Sequence, residues 1–165
     1  MLVAAILLVV FATMMIEAFV SRAHEGKLRA AGAIEPTGDV YPVMRVAYPA
    51  CFMLMAAEAL LRGPQSALLV PGIVMFALAK ALKWWAIASL GDRWCFRVLV
   101  LPGAALVDTG PYRVVRHPNY VAILGELVGV ALMLAASWTG TLACIVFGGL
   151  MWLRIQVEER ALNLR

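Results

Sequence analysis

The chain has 165 residues, 64% of them hydrophobic and only 15% charged, with a formal net charge of +4. Soluble domains sit nearer half apolar, and together with its long uncharged runs this composition excludes an ordinary water-soluble globule. The three cysteines, Cys51, Cys95 and Cys144, form no C-x-x-C and have only two histidines for company, which argues against a zinc site or a disulfide framework.

Leu2 to Val20 is a nearly uninterrupted apolar run, close to the roughly 20 residues that a bilayer-spanning helix needs. It lacks a basic n-region and a small-residue cleavage site, so it reads as a retained helix rather than a signal peptide. Glu17, within a turn of its end, reads as an interfacial carboxylate. Ser21 to Val40 reads as a polar loop, part of which can form a short interfacial helix, with a turn at Pro36-Thr37-Gly38-Asp39. Val43 to Leu61 is a second span, with Glu58 and Arg62 spaced for a helical ion pair. Gly63-Pro64 is a tight turn. Ser66 to Leu90 is a third span. Its Lys80 and Lys83 share a face beside Trp84 and Trp85, the pattern of snorkelling lysines next to an aromatic belt.

Gly91 to Arg116 is a long loop carrying Arg93, Arg97, Arg113 and Arg116, with the apolar stretch 101–107 inside it. Loops of that length in small membrane proteins are usually functional. Pro118 to Ala136 is a fourth span, with proline suited to the first helical turn. Ser137-Trp138-Thr139-Gly140 reads as a turn, and Thr141 to about Val157 as a fifth span. Gly125 and Gly129 form a G-x-x-x-G in the fourth span, and Gly148-Gly149 lies in the fifth. Small residues let helices approach closely, and the short turn makes these two helices neighbours. The expected fold is all-α: an integral-membrane bundle of about five transmembrane helices, a single domain over residues 1–165, ending in a helical hairpin that carries the site.

Five spans put the two termini on opposite sides. The loops after the first and third spans then share a side with the C-terminal tail, and that side carries Arg22, Lys27, Arg29, Arg93, Arg97, Arg113, Arg116, Arg154, Arg160 and Arg165. The opposite loops carry essentially Arg62. This positive-inside asymmetry places the basic side in the cytoplasm and leaves no argument for nucleic-acid binding.

The same side gathers the chemistry. His117 and Tyr120 share a face at the start of the fourth span, just after Tyr112 and Arg116. Arg154 and Glu158, four apart, share a face at the end of the fifth, while Glu159 and Arg160 are expected to point elsewhere. Interfacial anchoring explains any one of these residues. Their convergence with an apolar proline–glycine loop at one hairpin mouth points to a pocket.

The pattern Gly110-x-Tyr112-x-x-x-Arg116-His117-Pro118-x-Tyr120, followed by Arg154-x-x-x-Glu158-Glu159, resembles the isoprenylcysteine carboxyl methyltransferase family over roughly residues 91–165. The related phospholipid methyltransferases share the Arg-His-Pro-x-Tyr and Glu-Glu elements. The resemblance implies S-adenosylmethionine as methyl donor, bound from the cytoplasmic side by Ala104, Ala105, Leu106, Val107, Tyr112, His117, Pro118, Asn119, Tyr120 and Glu158, with Arg97 as a further contact. It places Arg154 toward the methyl-accepting group of a lipidic substrate, with no metal required. The stretches 84–91 and 32–36 look closer to a bacterial branch whose members O-methylate alkylpyrones or alkylresorcinols. Bacteria generally lack prenylated substrates. For a phenolic or enolic acceptor, Glu126 or Glu158 can serve as base. Glu126 also reads as a buried partner for Lys80 or Lys83.

Methyl transfer to oxygen asks the protein to align two centres where water and bilayer meet, and to exclude water. No G-x-G-x-x-G is present, and five helices leave no room for a Rossmann sheet. Three other readings stand beside an O-methyltransferase of the bacterial inner membrane: a phospholipid N-methyltransferase, which Arg154 serves poorly, an NADPH-dependent reductase resembling the steroid 5-alpha-reductases, and a non-catalytic scaffold.

Overall fold

The structure, a computed structural model, describes residues 1–63 and 67–162. Five helices account for most of it: α1 Leu2–Ala30, α2 Tyr41–Arg62, α3 Leu69–Leu90, α4 Pro118–Leu134 and α5 Ser137–Ala161. The long connection between α3 and α4 contains two short 3-10 turns, Gly91–Arg93 and Gly110–Arg113. Among the described residues there is no strand, only one isolated antiparallel bridge between Ile34 and Val100. The all-helical bundle matches expectation. Four helical segments, Leu2–Ala30, Tyr41–Arg62, Leu69–Arg93 and Ser137–Ala161, are long and apolar enough to cross a membrane. The fifth, α4, has 17 residues, about 25 Å at 1.5 Å per residue, and packs against α2, α3 and α5. Of the expected boundaries, Pro64, the start at Ser66 and Arg165 lie outside the described residues.

Two helix ends differ from the sequence reading, and each has a physical reason. α1 does not stop at Val20 but runs on to Ala30. The segment after Ser21 is rich in good helix formers, holds only one glycine before Gly32, and gains an i,i+4 pair at 2.9 Å between Glu25 and Arg29. α5 begins at Ser137 rather than Thr141, so the turn contracts to Ala135 and Ala136, with Ala135 left-handed at φ 51°. The cap comes from another helix. Glu58 of α2 accepts the Trp138 and Thr139 amides at 3.3 and 2.7 Å, and the Thr139 hydroxyl at 2.6 Å. A carboxylate there complements the positive helix end. The expected Glu58–Arg62 pair is also present, at 2.9 Å.

The small residues act at a different interface from the expected one. A methyl group on Gly129 would meet the Phe76 amide nitrogen at 2.8 Å and the Gly72 carbonyl oxygen at 3.0 Å, and one on Gly125 would meet Ala79 Cβ at 2.9 Å. The G-x-x-x-G of α4 therefore seats α3, not α5. Among the described residues, nothing lies within 4 Å of a Cβ added at Gly148 or Gly149, and α5 approaches α4 closely through Gly140, opposite Ala131.

In the polar core, the reading of Glu126 as a buried partner of Lys80 or Lys83 holds, and the interfacial reading of the other members does not. Glu17, Lys80 and Lys83 were expected at the interface, but all three are buried, together with Glu126. Lys80 Nζ lies 2.6 Å from Glu17 and 2.9 Å from Glu126, and Lys83 Nζ lies 3.2 Å from Glu17 and 2.6 Å from Glu126. The Tyr48 hydroxyl donates to Glu126 at 2.6 Å. The result is a charge-neutral ring joining α1, α3 and α4, with α2 attached through Tyr48. Ions are costly to desolvate singly but tolerated when paired.

The glycine assignment makes a prediction. Gly129→Ala should destabilise the protein by about 1–3 kcal/mol, the cost of overpacking a tight contact. Gly149→Ala should be neutral or stabilising by up to about 1 kcal/mol, since alanine is the better helix former. Thermal unfolding of both variants in detergent checks this, and equal effects would contradict the α3–α4 assignment.

Candidate active site

The C-terminal ends of α1, α3 and α5 and the N-terminal ends of α2 and α4 meet on one face of the bundle. The α1 extension organises it. His24 Nδ1 donates to the Trp94 carbonyl at 2.8 Å, Lys27 pairs with Asp92 at 2.8 Å, and the Ser21 hydroxyl accepts the Phe96 amide at 2.7 Å. The two connections then close on each other. The Ile34–Val100 bridge is flanked by Arg97, which bonds Glu35 at 2.6 Å and Glu25 at 3.1 Å. Burial by itself raises the Glu35 carboxyl, but hydrogen bonds from Arg29 and Arg97 outweigh it and hold the group below the usual carboxylate range. Burial also pushes the Cys95 thiol up to about 11, so it stays protonated and donates to the Arg97 carbonyl.

Four of the expected donor residues come together. The Tyr120 hydroxyl donates to Glu158 at 2.8 Å. His117 lies 3.8 Å from Glu158 and 3.4 Å from Glu159, and its ring stands 5.5 Å from that of Tyr120. Tyr112 is close enough to feel Glu158. Burial first, and then that negative charge, raise its phenol well above the ordinary value. Pro118 opens α4 at its first helical position, behind His117, and is fully buried. Asn119 Oδ1 is buried without a hydrogen-bond partner among the described residues. Glu159, expected to point away, is 5% exposed and faces His117. The i,i+4 rule assigns only one residue of a Glu-Glu pair to a face, and it cannot see that α4 flanks both.

The 104–107 segment forms a separate wall. Ala104 and Leu106 line an open pocket of about 610 Å³ with Ile34, Pro102, Ala161 and Leu162. Ala161 and Leu162 lie one turn beyond Glu158, whose carbonyl accepts the Leu162 amide. Ala105 turns its carbonyl to Arg93, at 2.6 Å, and Val107 is half-buried.

Arg154 has other partners than the sequence suggested. Its guanidinium donates to the Phe96 carbonyl, lies 3.6 Å from Asp39 and stands over the Tyr41 ring, 5.5 Å from the centroid. Glu158, four residues on and on the same face by spacing, is taken up by Tyr120 and His117. Arg97 lies over the same tyrosine ring, 5.2 Å from the centroid. Asp39 and Tyr41 escaped the sequence reading. The available signal was the Pro-Thr-Gly-Asp turn just before α2, where Asp39 also accepts the Tyr41 amide at 3.0 Å. Glu126 is not at this mouth. It sits in the ionic ring deeper in the bundle, bound by Lys80, Lys83 and Tyr48.

This is a helical protein with four segments able to cross a membrane, and His117, Tyr120, Glu158 and Glu159 gather at one end of its C-terminal hairpin. Residues 72–164, more than half of the chain, match the isoprenylcysteine carboxyl methyltransferase (ICMT) family, and the chain belongs to that family. Family membership points to a membrane methyltransferase. The uncharacterized protein YpbQ of Bacillus subtilis (strain 168) is 35% identical over 148 residues, which cover 89% of this chain and 88% of that protein. An uncharacterized protein of Haemophilus influenzae (strain ATCC 51907 / DSM 11121 / KW20 / Rd) is 26% identical over 146 residues, covering 87% of this chain and 85% of its own. No solved structure matches the chain.

The ionic ring gives a direct test. Lys83→Met leaves two buried carboxylates facing one ammonium group and should cost about 3–5 kcal/mol, the scale of breaking a buried pair by removing one partner. Lys83→Met combined with Glu126→Gln restores neutrality and should recover most of the loss. Unfolding midpoints of the single and double variants report this. A double variant as unstable as the sum of the singles would argue against a coupled ring.

Proposed function

We propose that the protein is an S-adenosylmethionine-dependent O-methyltransferase acting on a lipidic acceptor. The observation that carries this reading is the convergence of His117, Tyr120, Glu158 and Glu159 at the hairpin mouth, beside the apolar pocket that Ala104 and Leu106 line. The residues present suit the donor. Glu158 keeps 30% of its side chain exposed and can bind an amino group, Asn119 Oδ1 is a buried acceptor without a partner among the described residues, and the pocket's apolar wall fits an adenosine face. The donor supplies a methyl carbon on a cationic sulfur. The chain's task is to hold that carbon in line with an acceptor oxygen and to keep water out.

The family name makes an isoprenylcysteine carboxylate the first acceptor to consider. A hydroxyl on an alkylpyrone or alkylresorcinol is the second, and the negative charge of Asp39 beside Arg154 favours it. An amine cation is poorly served by a site built around Arg154. The basic side of the chain supports a multi-pass orientation with the mouth in the cytoplasm and the N-terminus outside, in a bacterial inner membrane. The bundle, loops included, serves as a single domain.

Three measurements test the proposal. S-adenosylmethionine should titrate to saturation by calorimetry while NADPH does not. His117→Ala, Tyr120→Ala and Glu158→Ala should each weaken donor binding without unfolding the protein, and unchanged affinity in all three would sink the site. Arg154→Ala should leave donor affinity nearly intact but lower turnover by about 10²- to 10³-fold, as for the loss of one preorganised electrostatic contact. Arg154→Lys should recover only part, because the planar fork is lost. For the orientation, a cysteine placed at Arg62 should be labelled only from outside the cell, and labelling solely from the cytoplasm would reverse the map.

A further inference from the structure

Arg154 is 7% exposed, and its charge is already answered within the chain. Asp39, with a side chain 6% exposed, places Oδ2 3.6 Å from the guanidinium. The same carboxylate accepts the Tyr41 amide at 3.0 Å and the Val98 amide at 3.5 Å. Of the three guanidinium nitrogens, Nη2 donates to the Phe96 carbonyl, and Nη1 meets, among the described residues, only the weak acceptor Met44 Sδ at 3.8 Å. Nε is buried with no partner among the described residues. A buried, unpaired donor is uncommon and calls for an explanation. An acceptor oxygen seated on Nε would have a carboxylate beside it. That neighbour is unfavourable for a second carboxylate and favourable for a hydroxyl that can donate to it.

We infer that Asp39 is the catalytic base on the acceptor side of this site, taking the proton of a phenolic or enolic hydroxyl whose oxygen rests on Arg154. The inference rests on the methyltransferase reading and sharpens it. The acceptor's O–H bond breaks and its proton passes to Asp39, while an oxygen electron pair forms the bond to the donor's methyl carbon. The electrons of the carbon–sulfur bond return to sulfur. A cation and a carboxylate become a neutral thioether and a neutral carboxylic acid, so the net charge of the buried site does not change. An ionised carboxylate acceptor needs no base and would add a second negative charge instead. The donor and acceptor sides meet at Tyr120. Its hydroxyl bonds Glu158 and is within electrostatic reach of both Arg154 and Asp39.

The simpler role for Asp39, capping α2 and anchoring Arg154, predicts different behaviour. Asp39→Asn keeps a side-chain oxygen for the Tyr41 amide and removes the charge. Two probes in detergent, a long-chain alkylresorcinol and N-acetyl-S-farnesylcysteine, report equilibrium binding without the methyl donor. In Asp39→Asn the farnesylcysteine carboxylate should bind about 10-fold tighter or better, because a like-charge neighbour is gone. Turnover of the resorcinol should fall about 10²- to 10⁴-fold, the range of a lost general base, with S-adenosylmethionine affinity unchanged. Parallel weakening of both probes, or carboxylate binding that does not improve, would overturn the assignment. Should Asp39→Asn fail to fold, the wild-type protein decides. Farnesylcysteine should bind no tighter than its methyl ester, and a 10-fold preference for the free carboxylate overturns the proposal. Wild-type protein that does not bind S-adenosylmethionine overturns the methyltransferase reading itself, whereas intact donor binding with parallel probe losses overturns Asp39 alone.

Discussion

Four ionised side chains closed into a neutral ring inside a lipid-facing bundle fix the geometry on which everything else rests. Glu17, Lys80, Lys83 and Glu126 come from three helices, and Tyr48 brings in a fourth. Between helices that lipid surrounds, the hydrophobic effect gives little preference for one rotation over another. A buried charge gives a strong one, because any rotation that separates it from its partners exposes an ion to hydrocarbon. Once Glu126 is held against the lysines of α3, the rotation of α4 is set. Tyr120, six residues earlier and therefore about a third of a turn around the helix, is directed to α5 and Glu158. The glycines of α4 act in the same sense, since only that rotation lets the α3 backbone approach Gly129.

The mouth of the bundle is organised by contacts of another kind. The helical extension of α1 carries the anchors for the connection after α3, and the connection after α1 is bridged to it through Ile34, Val100, Glu35 and Arg97. Two loops are thereby joined over the ends of α2 and α5. Arg154 is drawn into this junction by the Phe96 carbonyl and Asp39. The acceptor side of the proposed site is therefore built by the first half of the chain against the last helix. The donor side is built within the C-terminal hairpin, in the region that matches the family.

Much of this was legible from residues alone. The apolar runs gave five helices, the basic asymmetry gave the polar face, and the His-Pro-x-Tyr and Glu-Glu elements marked the hairpin ends that the fold brings together. These features are local, set by hydropathy, by 3.6-residue spacing or by a short turn that forces neighbours. Misreadings arose where a residue's environment comes from far along the chain. Glu17 and the two lysines look interfacial by position in their runs, and only partners on other helices make them core residues. The start of α5 looks like a turn because its cap, Glu58, belongs to α2.

The sequence by itself determined that this chain enters a membrane, which of its ends is basic, and which motif its hairpin carries. Each of those follows from composition, spacing and chain connectivity. Tertiary structure alone decided that α3, and not α5, lies in the glycine groove of α4, that Glu159 faces His117, and that Asp39 rather than Glu158 stands beside Arg154. These are choices among several sterically possible helix rotations and loop closures. A single helix's pattern does not encode which of them is taken, because the deciding energies are pairings between ions and close backbone contacts made across the bundle.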